Sequence, residues 1–317
     1  MASLIEQAAR RLEQLRNAGA QIPDHINPAA ASTFPLPAVN AAAAPLTSTL
    51  PMPRAEEPAH TSRQVTLDLD VLSAAGIVTP NAPRSHSADQ FRLIKRPLLA
   101  NAKAKGEKAL KHGNLIMVTS SLSGEGKSFT SLNLAMSIAM ELDNTVMLVD
   151  ADVARPSILR MLGLQTMPGL LDVLEGSKDM HSVLLKTNID KLTVLPSGSS
   201  RPKATELLAS DAMRRLLDDM AARYPDRIII FDSPPLLLTT ESRVLATQMG
   251  QVVMVVQADR TLQADVDHAL SSIKTCANIN LVLNKVRGTS SDGYGYGYGY
   301  GYGYGYGYGA PSGNSKA

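Results

Sequence analysis

Six short apolar runs constrain the fold of this 317-residue chain more than any other feature of its sequence. Several of them, such as LIMVT at residues 115–119, are apolar almost throughout and do not alternate with polar side chains. A strand of that composition is typical of a parallel sheet that helices cover on both faces. The predicted strands are residues 115–119, 145–149, 191–195, 227–231, 251–257 and 279–283.

Segments with helical periodicity lie between these strands, at residues 127–142, 211–222 and 263–275. A further amphipathic stretch at residues 89–99 precedes the first strand. Strands that alternate with helices predict a doubly wound α/β domain with a mostly parallel sheet. We place this domain at residues 85–288.

The run VTSSLSGEGKSF joins the first predicted strand to the first of these intervening helices. Gly124 and Gly126 let the backbone approach an anion, and the helix N-terminus adds its positive dipole end. Lys127 would reach the β and γ phosphates of a nucleotide, and the Ser128 hydroxyl would ligate Mg²⁺. The usual first glycine of the motif is Ser121 here. The pattern predicts a P-loop NTPase with a deviant Walker A motif, like that of partition and division ATPases.

Three aspartates follow predicted strands: Asp150 and Asp152 after the second strand, and Asp232 after the fourth. Ligands of open α/β sheets bind at the carboxyl ends of the strands, so these side chains are expected to converge on a magnesium nucleotide. Asp232 resembles a Walker B residue that holds Mg²⁺. Asp150 and Asp152 either hold the metal or accept a proton from an incoming hydroxyl. Capping of the following helix is the alternative role, above all for Asp152.

Eight of the nine tyrosines occupy alternate positions of the run DGYGYGYGYGYGYGYGYG. Glycine loses the most backbone freedom on ordering, so residues 289–317 are expected to form a flexible tail. Repeated, exposed phenol groups suit enzymatic modification. A plain low-complexity terminus and a segment that self-associates as strands, with its phenols on one face, are the alternatives.

The N-terminal part of the chain, residues 1–84, differs from the α/β domain in its composition. Residues 1–20 predict a short amphipathic helix with Ile5, Ala8, Leu12 and Leu15 on one face, which either docks a partner or frays in solvent. Residues 21–84 are a linker rich in proline and alanine. Within it, a short ordered segment near 65–80 either packs back on the catalytic domain or binds another protein.

Composition excludes several classes of function. The net charge of +2 comes without a clustered basic face, so nucleic acid is not an expected partner. One cysteine, Cys276, cannot form an intrachain disulfide, and the six histidines lack metal-ligand spacing. No apolar run approaches the roughly 20 residues of a membrane span. We expect a cytoplasmic protein that reaches a membrane only through a partner.

The phosphate loop, VMLVDADVARP, FDSPP and the tyrosine run together resemble the bacterial tyrosine kinases (BY-kinases) of capsule and exopolysaccharide export. The greatest similarity is to the separate cytoplasmic kinases of exosortase-associated exopolysaccharide loci. The family pattern hydrophobic-D-x-D-x-R has Ala154 at the arginine position, with Arg155 beside it. The family oligomerisation motif E-x-x-R-x-x-R is softened to Asp89, Arg92 and Lys95, which an ordinary charged helix face would also explain.

This resemblance implies an ATP- and Mg²⁺-dependent autokinase that phosphorylates its own tail in trans within a ring of subunits. It implies a membrane-anchored chain-length determinant as activator, at the inner membrane face, and a cognate tyrosine phosphatase. The catalytic residues would be Lys127, Asp150, Asp152 and Asp232, and the metal ligands Ser128, Asp152 and Asp232. ATP would contact Ser123, Gly124, Glu125, Gly126, Lys127, Ser128, Phe129 and Asn284, although Asn284 equally fits a last core strand. The modified residues would be Tyr294, Tyr296, Tyr298, Tyr300, Tyr302, Tyr304, Tyr306 and Tyr308.

Two other functions fit parts of this sequence. A nucleotide-switch ATPase of the partition or division-positioning type shares the fold and the deviant loop. Those ATPases usually carry an early lysine in a K-G-G run, whereas SLSGEG has no lysine before Lys127. A non-catalytic scaffold with an adhesive tail is the third class, and the intact lysine and aspartates argue against it.

Overall fold

The structure, a computed structural model, describes residues 62–81, 85–224, 226–276 and 278–287. The predicted helix at 1–20, most of the linker at 21–84 and the tyrosine tail at 289–317 lie outside these residues. Predictions about those segments therefore stay predictions.

The described chain forms one eight-stranded sheet with the order β1-β4-β5-β3-β6-β2-β7-β8. Neighbouring strands are parallel except for the antiparallel pair β4–β5. This confirms the predicted α/β fold with a mostly parallel sheet. The six predicted strands are all present, and the short strands β1 and β4 are additional. The bounds are β1 Arg63–Val65, β2 Leu115–Ser120, β3 Thr145–Asp150, β4 Leu185–Thr187, β5 Leu192–Leu195, β6 Arg227–Asp232, β7 Gln251–Gln257 and β8 Ile279–Asn284.

Helices follow most of the strands. The predicted helices at 127–142, 211–222 and 263–275 are α3, α8 and α10, with α3 and α10 ending earlier than predicted. In residues 62–81, 85–224, 226–276 and 278–287, no helix has both the length and the apolar character that a bilayer span requires. The bounds are α1 Leu69–Ala74, α2 His86–Ala102, α3 Lys127–Ala139, α4 Ile158–Met161, α5 Leu170–Leu174, α6 Met180–Val183, α7 Ala204–Leu208, α8 Asp211–Arg223, α9 Thr240–Ala246 and α10 Gln263–Ser272.

Strand β2 shows why the apolar runs do not alternate. Its side chains point to opposite faces of the sheet in turn. Ile116 and Val118 pack into one apolar cluster, together with α2 and α3 side chains. Leu115 and Met117 pack into a second cluster, together with α8 and α10 side chains. Because helices cover both faces, every position of this strand is buried.

The segment at residues 62–81, which we call the N-terminal strap, belongs to the same fold. Its strand β1 pairs in parallel with β4 at one edge of the sheet. Leu67, Leu72, Ile77 and Val78 are buried in the first apolar cluster. The Val78 N–H donates to Asn133 Oδ1 in α3 at 2.7 Å. The fold thus begins before the predicted boundary at residue 85, because apolar residues of the presumed linker complete its core.

Candidate nucleotide-binding site

The loop between β2 and α3 has the backbone of a phosphate cradle. Gly124 and Gly126 adopt φ values of 87° and 98°, which favour glycine. At Gly126 a Cβ would also lie 2.1 Å from Asn284 Nδ2, so any other residue would be strained in this backbone conformation and would displace the Asn284 side chain. In the described chain no side chain caps the start of α3 at Lys127. The first N–H groups of this helix are therefore available to an anion.

Glu125 holds the loop in shape from within. Its side chain is almost fully buried and accepts hydrogen bonds from the Leu122 N–H at 2.7 Å and from the Thr261 hydroxyl. Ser123 and Gly124, in contrast, are exposed. Since the Glu125 carboxylate is used inside the protein, its predicted contact with ATP would have to come from its backbone N–H.

Lys127 lies among the three aspartates, as its motif requires. Its Nζ donates to Asp152 Oδ2 at 2.6 Å and to Ser128 Oγ at 3.3 Å. Burial alone would lower the pKa of Lys127, but the charges of Asp232, Asp152 and Asp150 outweigh it and raise the pKa above its ordinary value. The lysine is therefore a firmly held positive charge at the base of the loop.

Asp232 ends β6 and is fully buried. Its Oδ1 accepts a hydrogen bond from Ser131 Oγ at 3.0 Å, whereas Oδ2 is buried without a partner among the described residues. Burial raises the pKa of Asp232, while the charge of Lys127 and the hydroxyls of Ser128 and Ser131 oppose this rise. A buried carboxylate oxygen with no partner indicates a place for a cation or a further donor.

Asp150 ends β3 and lies beside Asp232 in the register of the two strands. Its Oδ2 accepts the N–H groups of Ser157 and Ile158 at 3.1 and 3.0 Å, and its buried Oδ1 has no partner in the described chain. Burial, and then the nearby charge of Asp232, raise the pKa of Asp150 to about 7. A carboxyl group in this state is suited to proton transfer near neutral pH.

The donor set fits a magnesium ion accompanied by phosphates. Mg²⁺ is usually held by one or two carboxylates together with substrate phosphates and water. Asp232 Oδ2 and the Ser128 hydroxyl supply such oxygens at the start of α3. No cluster of three or more acidic, histidine or cysteine side chains that could hold a metal ion by themselves occurs in the described residues. Asp152, also predicted as a ligand, is engaged by Lys127 and by the Arg155 N–H at 3.1 Å.

Three other residues predicted to matter are placed as follows. The Phe129 side chain packs against the first apolar cluster, so any contact with a nucleotide would be through its backbone. Asn284 ends the last strand and its Nδ2 donates to the Glu125 carbonyl at 2.9 Å, which brings it to the loop. Arg155, beside the missing motif arginine, is exposed.

The predicted oligomerisation residues do not share one surface. Asp89 and Arg92 are exposed on α2 and form an ion pair at 2.6 Å. Lys95 is only 4% exposed, and its Nζ donates to the Ser137 carbonyl at 2.6 Å and pairs with Glu141 at 2.5 Å. A helix turns by about 100° per residue, which carries Lys95 toward α3 and away from the surface of Asp89 and Arg92. A role of these three residues in oligomerisation stays a prediction.

Several residues of the site were not predicted. Ser131 Oγ donates a hydrogen bond to Asp232 Oδ1. Ser131 lies one helical turn after Lys127, so its position on the same helix face could have been read from the sequence. Thr261 and Lys285 contact the loop from the ends of β7 and β8. No local motif marks them, and only the strand order of the sheet brings them to the loop.

A sheet of this topology, a glycine loop at the start of α3 and strand-end aspartates define a P-loop NTPase. A model of the ParA family, described as "NUBPL iron-transfer P-loop NTPase", matches residues 111–282. The match covers more than half of the chain, so the protein belongs to this family. Several of the similar proteins are named tyrosine-protein kinases of bacteria, and the chain belongs with them.

The chain is 29% identical over 222 residues to "Tyrosine-protein kinase YwqD" of Bacillus subtilis (strain 168), which covers 69% of this chain and 90% of YwqD. It is 31% identical over 180 residues to "Tyrosine-protein kinase CpsD" of Streptococcus agalactiae, covering 56% and 77% of the two chains. Against "Tyrosine-protein kinase ptk" of Acinetobacter johnsonii, the identity is 33%, but the chain spans only 24% of that protein.

Solved structures agree with this assignment. The VpsO kinase domain superposes with a TM-score of 0.51 at 26% identity, covering 61% of this chain and 94% of that domain. The BceF tyrosine kinase domain superposes with a TM-score of 0.55 at 22% identity, covering 69% and 91%. At that identity the second comparison supports the fold alone.

Proposed function

We propose that the protein is an ATP- and Mg²⁺-dependent protein-tyrosine kinase that phosphorylates the tyrosines of its own tail, Tyr294–Tyr308, in a neighbouring molecule. The observation that carries this proposal is Lys127 at the start of α3, held at 2.6 Å by Asp152 and surrounded by Asp150 and Asp232. One cation and three carboxylates at the start of α3 support the proposal, because phosphoryl transfer needs charge to hold the nucleotide phosphates and an acceptor for the hydroxyl proton.

In the reaction, the loop N–H groups and the helix N-terminus bind the phosphates, and Lys127 turns from Asp152 toward the β and γ phosphates. The tyrosine oxygen bonds to the γ-phosphorus while the bond from that phosphorus to the bridging oxygen of ADP breaks. The phenol proton passes to a carboxylate. Asp232 and Ser128 would hold Mg²⁺, which neutralises charge on the phosphate oxygens.

Asp150 is our choice as proton acceptor over Asp152. Before Lys127 turns toward the phosphates, both oxygens of Asp152 are engaged, one by Lys127 and the other by the Arg155 N–H; after it turns, a single N–H orients Asp152. Asp150 keeps one oxygen without a partner in the described chain, while two backbone N–H groups fix the other. A base must be oriented and have a free oxygen, and Asp150 meets both conditions.

The position of the last described residues supports the tail as substrate. Strand β8 runs parallel to β7, and β7 runs parallel to β2, so the chain leaves the sheet at the edge that carries the phosphate loop. Tyrosines begin at Tyr294, seven positions beyond Arg287. The names of the related proteins, tyrosine-protein kinases, agree with a phenol as acceptor.

The wider role belongs to the same proposal. The kinase acts on exopolysaccharide polymerisation or export, as a ring-shaped homo-oligomer that a membrane-anchored chain-length determinant recruits and activates. A cognate tyrosine phosphatase reverses the modification. Each phosphate adds about −1.5 to −2 charges at neutral pH, so a modified tail would repel its neighbours and favour disassembly.

The test uses purified full-length protein with ATP and Mg²⁺, and mass spectrometry of the tail. Lys127→Met should lose tail phosphorylation. A second protein with all eight tail tyrosines changed to phenylalanine keeps the kinase site intact. Mixed with Lys127→Met, it should phosphorylate the Lys127→Met tail, which demonstrates transfer in trans.

Undiminished phosphorylation of Lys127→Met alone would overturn the assignment of the site. ATP hydrolysis by the wild-type protein without any phosphotyrosine would instead favour a nucleotide-switch ATPase. No phosphate on the Lys127→Met tail in the mixture, with normal autophosphorylation of wild type, would contradict transfer between molecules.

A further inference from the structure

Two side chains at the end of β8 reach consecutive carbonyl groups of the phosphate loop. Lys285 Nζ donates to the Gly124 carbonyl at 2.6 Å, and Asn284 Nδ2 donates to the Glu125 carbonyl at 2.9 Å. These contacts join residues that are 161 and 159 positions apart in the chain. They lie at the nucleotide site, yet the chemistry described above does not use Lys285.

Peptide geometry gives these contacts a consequence. The C=O and N–H of one trans peptide unit point in opposite directions. When Lys285 holds the Gly124 carbonyl toward β8, the N–H of Glu125 is directed to the other side of the loop. When Asn284 holds the Glu125 carbonyl, the N–H of Gly126 is directed likewise. The two donors thus turn successive N–H groups away from β8, as an anion-binding loop requires.

The backbone conformation and a second contact hold Lys285 in this position. It has a φ of 57°, which is uncommon for a residue other than glycine. Its Nζ also approaches Gln257 Oε1 at 3.4 Å, so the ammonium group bridges the end of β7 and the loop. The side chain is exposed, and an exposed contact of this kind adds little to folding stability.

The positive charge of Lys285 also favours anion binding at the loop. The loop has no lysine before Lys127, and Lys127 is paired with Asp152 at 2.6 Å. Lys285 therefore adds a positive charge to the solvent side of the loop, where Ser123 and Gly124 are exposed. An ammonium group at this place favours binding of a multiply charged anion.

We propose that Lys285 is a positioning residue for nucleotide phosphates: it orients the loop N–H groups through the Gly124 carbonyl and raises the affinity of the site for the triphosphate. The inference rests on the proposed nucleotide site, but not on the transfer of phosphate to tyrosine. Asn284 orients the next peptide unit of the loop in the same way, through the Glu125 carbonyl. Lys285 acts on the phosphate end of the ligand and not on the base.

Equilibrium binding tests this directly, because it needs no kinase activity. Lys285→Met should bind ATP and inorganic tripolyphosphate about tenfold more weakly than wild type, because the loop N–H groups lose their fixed orientation and the multiply charged anion loses a nearby positive charge. Binding of adenosine, which has no phosphate, should stay within about twofold. Lys285→Arg should recover most of the affinity, because it restores a cationic donor. Lys274→Met, at an exposed lysine before β8, serves as the matched control.

In the kinase reaction, Lys285→Met should raise the KM for ATP more than it lowers kcat. Equal affinity of Lys285→Met and wild type for tripolyphosphate would overturn the proposal. An equal loss of adenosine binding would assign Lys285 to the base pocket instead and would also overturn it. If wild type binds ATP but phosphorylates no tyrosine, the proposed kinase function fails while the binding comparison still decides the role of Lys285.

Discussion

The nucleotide site and the N-terminal strap are both buried, but they bury opposite kinds of groups. The site buries charge: Asp232 and Asp150 are 0% and 1% exposed. The strap buries hydrocarbon: Leu67 and Leu72 are each 2% exposed. Burial raises the pKa of both aspartates, which means that their ionised forms oppose folding, whereas burial of leucine favours it. The strap therefore stabilises the fold, whereas the buried aspartates of the nucleotide site reduce its stability.

The largest effect should come from Asp232→Asn, which keeps the shape of the side chain and removes its charge. We expect phosphotransfer to fall by at least about 100-fold, because the proposed metal loses its buried carboxylate. Stability should not fall. A pKa raised in the folded protein means that the ionised carboxylate is less favourable folded than unfolded at neutral pH, so the neutral amide relieves that cost.

Initial rates with saturating ATP and melting temperatures without ligand measure the two effects of Asp232→Asn. Ser131→Ala removes the hydroxyl that bonds Asp232 Oδ1 and serves as a milder control. A melting temperature several degrees below wild type would show that the charge supports the fold, and the contrast between the two regions would then be lost.

Leu72→Ala in the strap should have the opposite signature. Leu72 is 2% exposed in the first apolar cluster, and Leu→Ala at such sites costs about 2–5 kcal/mol of unfolding free energy. The specific activity of the folded protein should stay near that of wild type at temperatures well below the transition. Urea unfolding and initial rates measure the two quantities.

Val71→Ala is the matched control for Leu72→Ala. Val71, the residue before Leu72, is 62% exposed. Substitutions at exposed positions usually change the free energy of unfolding by no more than about 0.5 kcal/mol. If Leu72→Ala and Val71→Ala unfold at the same urea concentration, the strap does not stabilise the domain.

The smallest effect concerns the pair Lys95–Glu141. The hydrogen bond from Lys95 lowers the pKa of Glu141. A lowered pKa stabilises the fold at pH values above the ordinary pKa of glutamate and loses that contribution as the pH falls through the folded pKa. Because the Glu141 side chain is 41% exposed and Lys95 keeps its hydrogen bond to the Ser137 carbonyl, Glu141→Gln should cost at most about 1 kcal/mol at neutral pH. Unfolding curves at neutral pH and below pH ~4 should show the difference vanish. A constant difference at both pH values would exclude the ion pair as its source.

The central part of the fold could be predicted because each of its signals is local. The strand LIMVTS is mostly apolar because both of its faces are covered. The glycines of the phosphate loop, Gly124 and Gly126, lie within three residues of Lys127 in the sequence. Parallel strands place their carboxyl ends at one edge, so Asp150 and Asp232 could be expected to be neighbours. The structure pairs the two positions in register.

The remaining features depend on contacts between distant segments. Strand β1 has three residues and exists because β4 lies beside it, so its own sequence gives no strand signal. Lys95 looked like a surface charge, and only the packing of α2 on α3 turns it toward the Ser137 carbonyl. The contact of Thr261 with Glu125 joins residues 136 positions apart, and no window of sequence contains both.

The two edge strands also differ in what they offer to another chain. Strand β1 is three residues long, and Arg63 and Gln64 are exposed, so its free edge is too short and too polar to template a neighbouring strand. Strand β8 is six residues long, with Leu281 and Leu283 at 56% and 61% exposure. Of the two edge strands in the described residues, β8 is therefore the better suited to pairing with a strand of another chain.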